Sequence, residues 1–314
     1  MRAVVVRQFG GPGQLELTGL PDPVPGPGEV RVAVRAAGVN PVDAGNRADG
    51  SWAGLDAGCV LGYDIAGVVD ATGPGVTGWT PGDRVMAMTH FRDGAGGYAE
   101  LAVVPAGLLA RLGDGISFTD AAATPLAGGT ALEVLGRLAL PSGARLLVLG
   151  ASGGVGLFLL QLAAARKLDV IAVGRGAMHA QLRALGAAAC IDYTREDVAA
   201  RVRELAGGPV DAIADLVGGR SAAGALSALR PGGQIASIAS PELDLDPLVD
   251  ANITFHGVLI GDDGERTRTL AGLLADGSLR PVISHVLPLA SARRAHEITE
   301  DGHPGGKIVL TVSP

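Results

Sequence analysis

Leu146-Leu147-Val148-Leu149-Gly150-Ala151-Ser152-Gly153-Gly154-Val155-Gly156 is the stretch on which the fold turns. A short apolar run enters a cluster of small residues, and an uncharged, largely apolar segment continues to residue 165. This order reads as buried strand, tight turn and helix. Ala151-x-Gly153-x-x-Gly156 matches the dinucleotide-binding fingerprint, with alanine in the first glycine position. The spacing has a chemical basis. Gly153 would let backbone approach a pyrophosphate, and Gly156 would let the helix pack close against the strand. The helix start supplies free N–H groups and partial positive charge. Residues 146–165 are also long enough to cross a bilayer. The glycines at 150, 153, 154 and 156 interrupt that run, so strand–turn–helix fits it better.

Working outward, strands are expected at 145–150, 169–174, 189–192, 210–215, 234–238 and 253–259. Helices are expected between them at 155–167, 178–185 and 221–229, with another capped by Thr194 and Asp197 and stopped at Gly207-Gly208. Six strands with intervening helices predict an α/β fold with a Rossmann-type doubly wound parallel sheet. Upstream, 118–140 reads as Ala-rich helix, with Ser117 and Asp120 at capping-box spacing. The first 110 or so residues are β-rich. Short runs at 31–36, 65–71, 84–88 and 98–104 are separated by Gly/Pro turns, the pattern of a small barrel or sandwich. After a helix at 265–276, residues 307–312 read as a terminal strand rejoining the first domain. The expected organisation is a catalytic domain over 1–121, a dinucleotide-binding domain over 122–278, and a return to the catalytic domain over 279–314.

Bulk properties agree. At about 150 residues per domain, 314 residues make two domains. Such a chain buries roughly three quarters of its unfolded surface and needs no disulfide or metal to hold a core. A net charge of -7 argues against a nucleic-acid partner. Cys59 and Cys190 offer neither a disulfide framework nor paired metal spacing. The apolar run at 3–6 is too short for a signal peptide. A cytoplasmic protein with no membrane association is expected.

The second strand of a dinucleotide-binding sheet selects the cofactor. An NAD site usually places Asp or Glu at its end, to hold the ribose 2′-hydroxyl. Here the strand ends Ile171-Ala172-Val173-Gly174-Arg175. No carboxylate stands there, and Arg175 can pair with a 2′-phosphate, a charge-assisted bond worth roughly 1.5–3 kcal/mol. NADPH is the expected cofactor.

Zinc catalysis needs about three Cys, His or Asp/Glu ligands brought together. The histidines are His90, His179, His256, His285, His296 and His303, and none forms an H-x-x-x-H pattern. No metal ligand set, Ser/His/Asp arrangement or convincing general acid stands out. The chemistry is then largely the cofactor's, and a hydride acceptor must already be electrophilic, such as a quinone or a conjugated enone.

The sequence resembles the medium-chain dehydrogenase/reductase superfamily, in its zinc-free quinone oxidoreductase (zeta-crystallin-like) branch. The resemblance runs nearly end to end. It is carried by Ala37-Gly38-Val39-Asn40-Pro41-Val42-Asp43, Gly62-Tyr63-Asp64-Ile65-Ala66-Gly67-Val68-Val69, Gly82-Asp83-Arg84-Val85 and Gly97-Tyr98-Ala99-Glu100. It continues in Ala123-Thr124-Pro125-Leu126-Ala127-Gly128-Gly129-Thr130-Ala131, Ser152-Gly153-Gly154-Val155-Gly156, Ile191-Asp192-Tyr193, Leu229-x-Pro231-Gly232-Gly233 and Gly306-Lys307-Ile308-Val309-Leu310. It implies that the β-rich domain is GroES-like. In zinc relatives a cysteine stands in the Asn40 region and Gly-His-Glu stands where this chain has Gly62-Tyr63-Asp64. The resemblance further implies Ser152, Gly153, Gly154 and Val155 at the pyrophosphate. It places Gly174, Arg175 and Tyr193 around the 2′-phosphate, and Thr130, Val217, Ala239 and Ser240 along the nicotinamide half. Asn40 and Thr124 would border the substrate, and Trp52 would stand where the family often has tyrosine near the pocket mouth. Met178 replaces a lysine common in the family, which leaves Arg175 to carry the phosphate.

Together these features predict an NADPH-dependent oxidoreductase that passes hydride to a quinone or an α,β-unsaturated carbonyl. A 2-enoyl-thioester or biosynthetic enone reductase of the same fold is the alternative enzyme reading, and a non-catalytic NADPH-binding protein the alternative outside catalysis. A homodimer is expected through the sixth strand, Asn252-Ile253-Thr254-Phe255-His256-Gly257-Val258, since an uncovered apolar edge invites pairing.

Overall fold

The computed structural model describes residues 1–90, 96–302 and 304–312, with the side chain of Trp52 also outside the described part. By contact the chain divides into two compact units, one of residues 1–129 and 261–314, the other of residues 130–260.

The first unit opens with an antiparallel ribbon of β1 (Arg2–Val6) and β2 (Leu15–Gly19). In β3 (Glu29–Val39), Val30, Val32 and Val34 are buried while Arg31, Ala33 and Arg35 are half-exposed, the alternation a half-buried strand requires. Helix α1 (Pro41–Ala48) follows at once, then β4 (Asp64–Thr72), β5 (Arg84–Met88), β6 (Leu101–Pro105), β7 (Ala110–Arg111) and α2 (Phe118–Ala122).

The second unit begins within α3 (Pro125–Leu138). It continues as β8 (Arg145–Leu149), α4 (Gly154–Ala165), β9 (Asp169–Val173), α5 (His179–Ala184), β10 (Ala189–Ile191) and α6 (Val198–Ala206). After these come β11 (Val210–Asp215), α7 (Ser221–Ala225), β12 (Leu229–Ser237), α8 (Asp246–Asp250) and β13 (Thr254–Gly257). The strands form a parallel sheet in the order β10-β9-β8-β11-β12-β13. This is the doubly wound Rossmann order, with its reversal between β8 and β11. Leu146, Leu147 and Val148 are fully buried, as central parallel strands demand.

The chain then returns to the first unit through α9 (Gly264–Ala275), β14 (Ile283–Pro288), α10 (Ala292–Glu300) and β15 (Lys307–Thr311). One edge of β3 carries β4. The other is shared, with β6 on residues 29–33 and β15 on residues 36–39.

Several sequence expectations shift. The boundary expected at residue 278 falls at 260, because α9 packs on β5 and β7. The approach is close enough that a Cβ on Gly264 would lie 1.8 Å from the Gly107 carbonyl oxygen. The helix expected over 118–140 is two helices. Ser117 caps the first, its hydroxyl accepting the Asp120 N–H at 3.0 Å. Pro125, lacking an N–H and restricting Thr124, starts the second. The α6 cap is Asp197, which accepts the Ala200 N–H at 2.7 Å, while the Thr194 hydroxyl turns back to Asp192 at 2.6 Å. Among the described residues no helix is long and apolar enough to cross a membrane.

Candidate functional site

The carboxyl ends of the parallel strands gather the expected cofactor residues. Gly150, with φ +77, makes the tight turn after β8, and a Cβ there would lie 2.8 Å from Val217 Cγ2. The turn glycine is therefore one residue ahead of Ala151, which is fully buried. Gly156 has the expected packing role, since its Cβ would lie 2.5 Å from the Ala151 carbonyl oxygen. Gly153 differs. A Cβ there would meet only the Gly150 carbonyl oxygen, at 3.3 Å. The fold's own packing makes a weak demand for glycine at 153, and the space beside it is open to a ligand. Gly153 is also the N-cap of α4 and supplies no side-chain cap. The first N–H groups of this twelve-residue helix thus lack intrahelical partners and favour an anion. These features fit a dinucleotide pyrophosphate at Ser152, Gly153, Gly154 and Val155.

Beside this turn, a Cβ on Gly174 would lie 3.5 Å from Ser152 Oγ, so the ends of β8 and β9 converge. Arg175 is exposed, and its Nε donates to the Tyr193 hydroxyl at 3.1 Å. Sequence reading missed Asp192. Its carboxylate accepts the Gly176 N–H at 3.0 Å and both the N–H and hydroxyl of Thr194. The Thr194 bonds, chiefly, hold this carboxyl below its ordinary range. The loop after β9 is thereby tied to the end of β10.

At the ends of β11 and β12 the organiser is Asp215, which sequence reading also missed. It is fully buried, accepts the Val217 and Gly218 N–H groups at 3.1 Å each, and accepts the Ser237 hydroxyl at 3.1 Å. Gly218 (φ +79) lets the loops close, since a Cβ there would lie 2.7 Å from Ala239 Cβ. The Gly219 N–H donates to the Ser240 carbonyl at 2.9 Å. Val217 stays 58% exposed, which is free apolar surface at the strand ends. Thr130 lies buried on α3. The signal for Asp215 was present in the sequence as a charge closing the apolar run Ala212-Ile213-Ala214.

The first unit holds a buried polar network. The Asn40 Nδ2 donates to Asp64 Oδ2 at 2.9 Å, and the Lys307 ammonium donates to Asn40 Oδ1 and to the Val39 carbonyl. Lys307 Nζ is 3.7 Å from Asp64 Oδ2. Asp64 Oδ1 accepts the Leu126 N–H at 2.7 Å. Asp43 accepts the Asn40 N–H at 2.8 Å and the Tyr98 hydroxyl at 3.1 Å. Tyr98 in turn meets His296 Nε2 at 3.3 Å, and Arg47 lies 3.4 Å from His296 Nδ1 while pairing with Glu300. Burial dominates the titration of these groups. It pushes Asp43 up to about 7 and raises Asp64, Lys307's attraction notwithstanding. It lowers Lys307 and raises Tyr98. Burial first, and then the Arg47 charge, bring His296 down to about 3.

The substrate-border expectations fare unevenly. Asn40 is 1% exposed, with both ends of its amide committed to the network. Thr124 is fully buried, and its hydroxyl donates to the Asp120 carbonyl at 2.7 Å. Both shape their surroundings without presenting a free polar group. Trp52 sits on the 3-10 turn Ser51–Ala53, and its side chain lies outside the described residues, as does His303. Among the described residues no three His, Cys, Asp or Glu side chains come together as a metal site. A cavity of about 500 Å³ in the first unit, lined by Trp79, Leu109, Arg111 and Arg268, touches none of the expected site residues.

Known proteins give the arrangement a context. Residues 26–114 match the alcohol dehydrogenase GroES-like domain, and residues 185–310 match a zinc-binding dehydrogenase domain. The chain is 35% identical to a quinone oxidoreductase of Pseudomonas aeruginosa, over 96% of this chain and 97% of that one. It is 36% identical to part of erythronolide synthase EryA2 of Saccharopolyspora erythraea, over 90% of this chain but 8% of the synthase. Among solved structures, an NAD-dependent alcohol dehydrogenase superposes with a TM-score of 0.93 at 34% identity, covering 100% of both chains.

The network sets a pH dependence. The unfolded chain takes up a proton on histidine near pH 6.5, whereas folded His296 stays neutral down to about 3. Stability conferred by neutral His296 is therefore lost as pH falls from about 6.5 toward about 3. Asp43 acts with the opposite sign, its stability being fully present below about 3.8 and lost as pH rises through about 7. In His296→Gln the histidine contribution vanishes while that of Asp43 remains. Denaturant titration between about pH 6.5 and about pH 4 should then show wild type losing about 3 kcal/mol more than the variant.

Proposed function

The chain belongs to the quinone oxidoreductase family of the medium-chain dehydrogenase/reductase superfamily, and from that membership we propose an NADPH-dependent, zinc-independent reductase of quinones or α,β-unsaturated carbonyls. The observation that carries the cofactor choice is the Arg175–Tyr193 pair at the ends of β9 and β10. No carboxylate closes β9, and among the described residues the Arg175 guanidinium forms no ion pair. It is available to a 2′-phosphate, with the Tyr193 hydroxyl beside it. Asp192 limits the site, because it already holds the Gly176 N–H. The solved neighbour described as NAD-dependent makes this choice the first point to test.

When bound, the nicotinamide supplies the hydride. The chain's residues bind and orient. The uncapped start of α4 takes the pyrophosphate, and Val217, Ala239 and Ser240, held by Asp215, line the nicotinamide half with Thr130. Zinc independence is supported by the residues themselves. At the positions where zinc relatives carry ligands, Asn40 and Asp64 are hydrogen-bonded to each other and neutralised by Lys307. An ammonium already beside Asp64 opposes a second cation there. Without a Lewis acid the acceptor must be electrophilic in itself. The likeness to a relative described as an acryloyl-coenzyme A reductase favours a second reading, an enoyl-thioester reductase. Relative kcat/KM on quinones, enones and enoyl thioesters separates the two.

Assembly is proposed to be dimeric. β13 is the outer strand of its sheet, Phe255 on it is 40% exposed, and Leu245 and Val249 nearby in sequence are 68% and 73% exposed. Pairing two such edges about a two-fold axis would cover them.

Three measurements check these readings. Arg175→Ala should weaken NADPH binding about 10- to 150-fold and leave NADH nearly unchanged, with kcat at saturating NADPH preserved; equal losses for both cofactors would place the phosphate elsewhere. Chelation should leave activity intact, and stoichiometric zinc whose removal abolishes turnover would overturn zinc independence. Sedimentation at micromolar concentration should give a dimer that Phe255→Glu dissociates.

A further inference from the structure

The Arg175–Tyr193 pair offers a place for a 2′-phosphate, but the pair alone does not fix how strongly NADPH is chosen over NADH. A third residue is bound into the surroundings of both. We propose that Asp192 sets the margin of that choice: it anchors the loop that carries Arg175, and its charge opposes the 2′-phosphate. The inference rests on the cofactor reading above and deepens it.

All the residues concerned belong to the second unit. β9 and β10 run parallel with Ile191 opposite Val173, and the Gly174 N–H donates to the Ile191 carbonyl at 3.0 Å. Residues 174–176 and 192–194 therefore leave the sheet side by side. Asp192 precedes Tyr193 and holds Gly176, the residue after Arg175. Its Oδ2 accepts the Gly176 N–H at 3.0 Å. The fit is close, since a Cβ on Gly176 would lie 2.8 Å from that oxygen. Oδ1 accepts the Thr194 N–H at 3.0 Å and the Thr194 hydroxyl at 2.6 Å. The carboxylate thus stands at the root of the two side chains that would grip the phosphate, whose own tips meet at 3.1 Å.

Two effects follow, and they oppose each other. Anchoring favours binding, because a loop already held loses less freedom when a ligand arrives. Charge disfavours a second anion. The Thr194 bonds keep the Asp192 carboxyl below its ordinary range, so it is ionised at neutral pH. It also occupies the Gly176 N–H, a backbone donor of the kind that loops turn toward phosphates. Neighbouring cations leave this charge standing. Arg195 Nε is 4.0 Å from Asp192 Oδ2, but its side chain is 84% exposed, and a pair so solvated is weak. Arg201 serves Glu196 at 3.1 Å and Glu204 at 2.6 Å. Glu196 in turn accepts the Asp192 N–H at 2.8 Å. A carboxylate closing β9 would face the phosphate directly. This one closes β10 with three hydrogen bonds already accepted, and it tempers the phosphate's attraction to Arg175. NADH carries a hydroxyl in place of the phosphate and is indifferent to the charge.

The test is calorimetric binding to the full chain. Adenosine 2′,5′-bisphosphate against AMP is the first pair of probes, and NADPH against NADH the second. The members of each pair differ only by the 2′-phosphate. Asp192→Asn removes the charge while its side-chain carbonyl can still accept the Gly176 N–H. It should bind the bisphosphate and NADPH about 2- to 10-fold more tightly than wild type at low salt, with AMP and NADH unchanged. That gain should vanish at about 1 M salt, where the Debye length is about 3 Å. Asp192→Ser also removes the charge and keeps an acceptor for the Thr194 N–H. It should show the same salt-dependent gain, and it decides the matter if the asparagine variant does not fold. A merely structural Asp192 would instead weaken all four ligands alike at every salt concentration. That result overturns the proposal, as does no change in any of them. Weakened AMP and NADH alone overturn it too, by making Asp192 an acceptor for the ribose hydroxyl. In each case the cofactor reading stands if Arg175→Ala still weakens the bisphosphate more than AMP. If Arg175→Ala affects both equally, the phosphate site is misplaced, and the role of Asp192 falls with it.

Discussion

The first unit depends on one buried carboxylate. Asp64 starts β4, has no solvent exposure, and binds three separate parts of the chain at once: Asn40 at the head of α1, Lys307 at the start of β15, and the Leu126 N–H in the first turn of α3. A carboxylate in such a place is costly unless its oxygens are used and its charge is answered. Lys307 answers it, and is itself satisfied by Asn40 and Val39. Removing one member leaves the other's desolvation unopposed, a cost of about 3–5 kcal/mol. The network does what a metal centre does in many folds, joining distant segments through one focal charge. It does so with an ion pair whose partners, Asp64 and Lys307, are far apart in sequence.

The second unit is governed by a different constraint. Parallel strands must end somewhere, and all their ends on one side open onto loops that carry unsatisfied backbone groups. Here each loop is closed by a side chain from the strand end itself. Asp215 gathers the N–H groups after β11 and the hydroxyl at the end of β12, and Asp192 gathers those after β9 and β10. The loop after β8 is the exception, since Gly153 caps α4 with no side chain at all. The vacancy in the hydrogen-bonding pattern falls where the glycine spacing places a pyrophosphate, so two independent features, one steric and one electrostatic, coincide.

How much of this was legible follows from range. The strand–turn–helix at 145–165 is local: apolar run, small residues and helix all lie within one window, and its reading survives to within two residues. So does the cap at Ser117, whose partner is three residues away, whereas the cap expected at Thr194 moved to Asp197. Helix α1 was hidden because Asn40-Pro41 reads equally as a turn, although proline at the first helical position also starts a helix. β14 was hidden because it carries no clean alternation, and α10 was passed over although Ala292, Ala295 and His296 share one buried face. The buried network was out of reach altogether. Arg47, Asp43, Asp64 and Lys307 carry no local signal of burial, and only folding brings Lys307 to Asn40 across 267 positions of sequence. The resemblance marked Asn40 as a residue at the substrate, and the structure gives its amide to the network instead.

That reassignment bears on chemistry. A reductase that keeps its central charges buried and mutually satisfied has little to offer a substrate in polarising power. Asn40, Asp64 and Lys307 are turned toward one another, and Thr124 back toward α2. On the proposed reading, activation would then come from the acceptor's own electrophilicity, and proton transfer from a group outside the network with access to solvent. The two demands are separable in principle. On the proposed reading, acceptor choice would rest on the shape and apolar surface at the strand ends, where Val217 stays exposed, and protonation on a titratable group that can exchange with water. On that reading the fold would change its acceptor by altering loop surface, because the charges that hold the first unit together are already bound to one another.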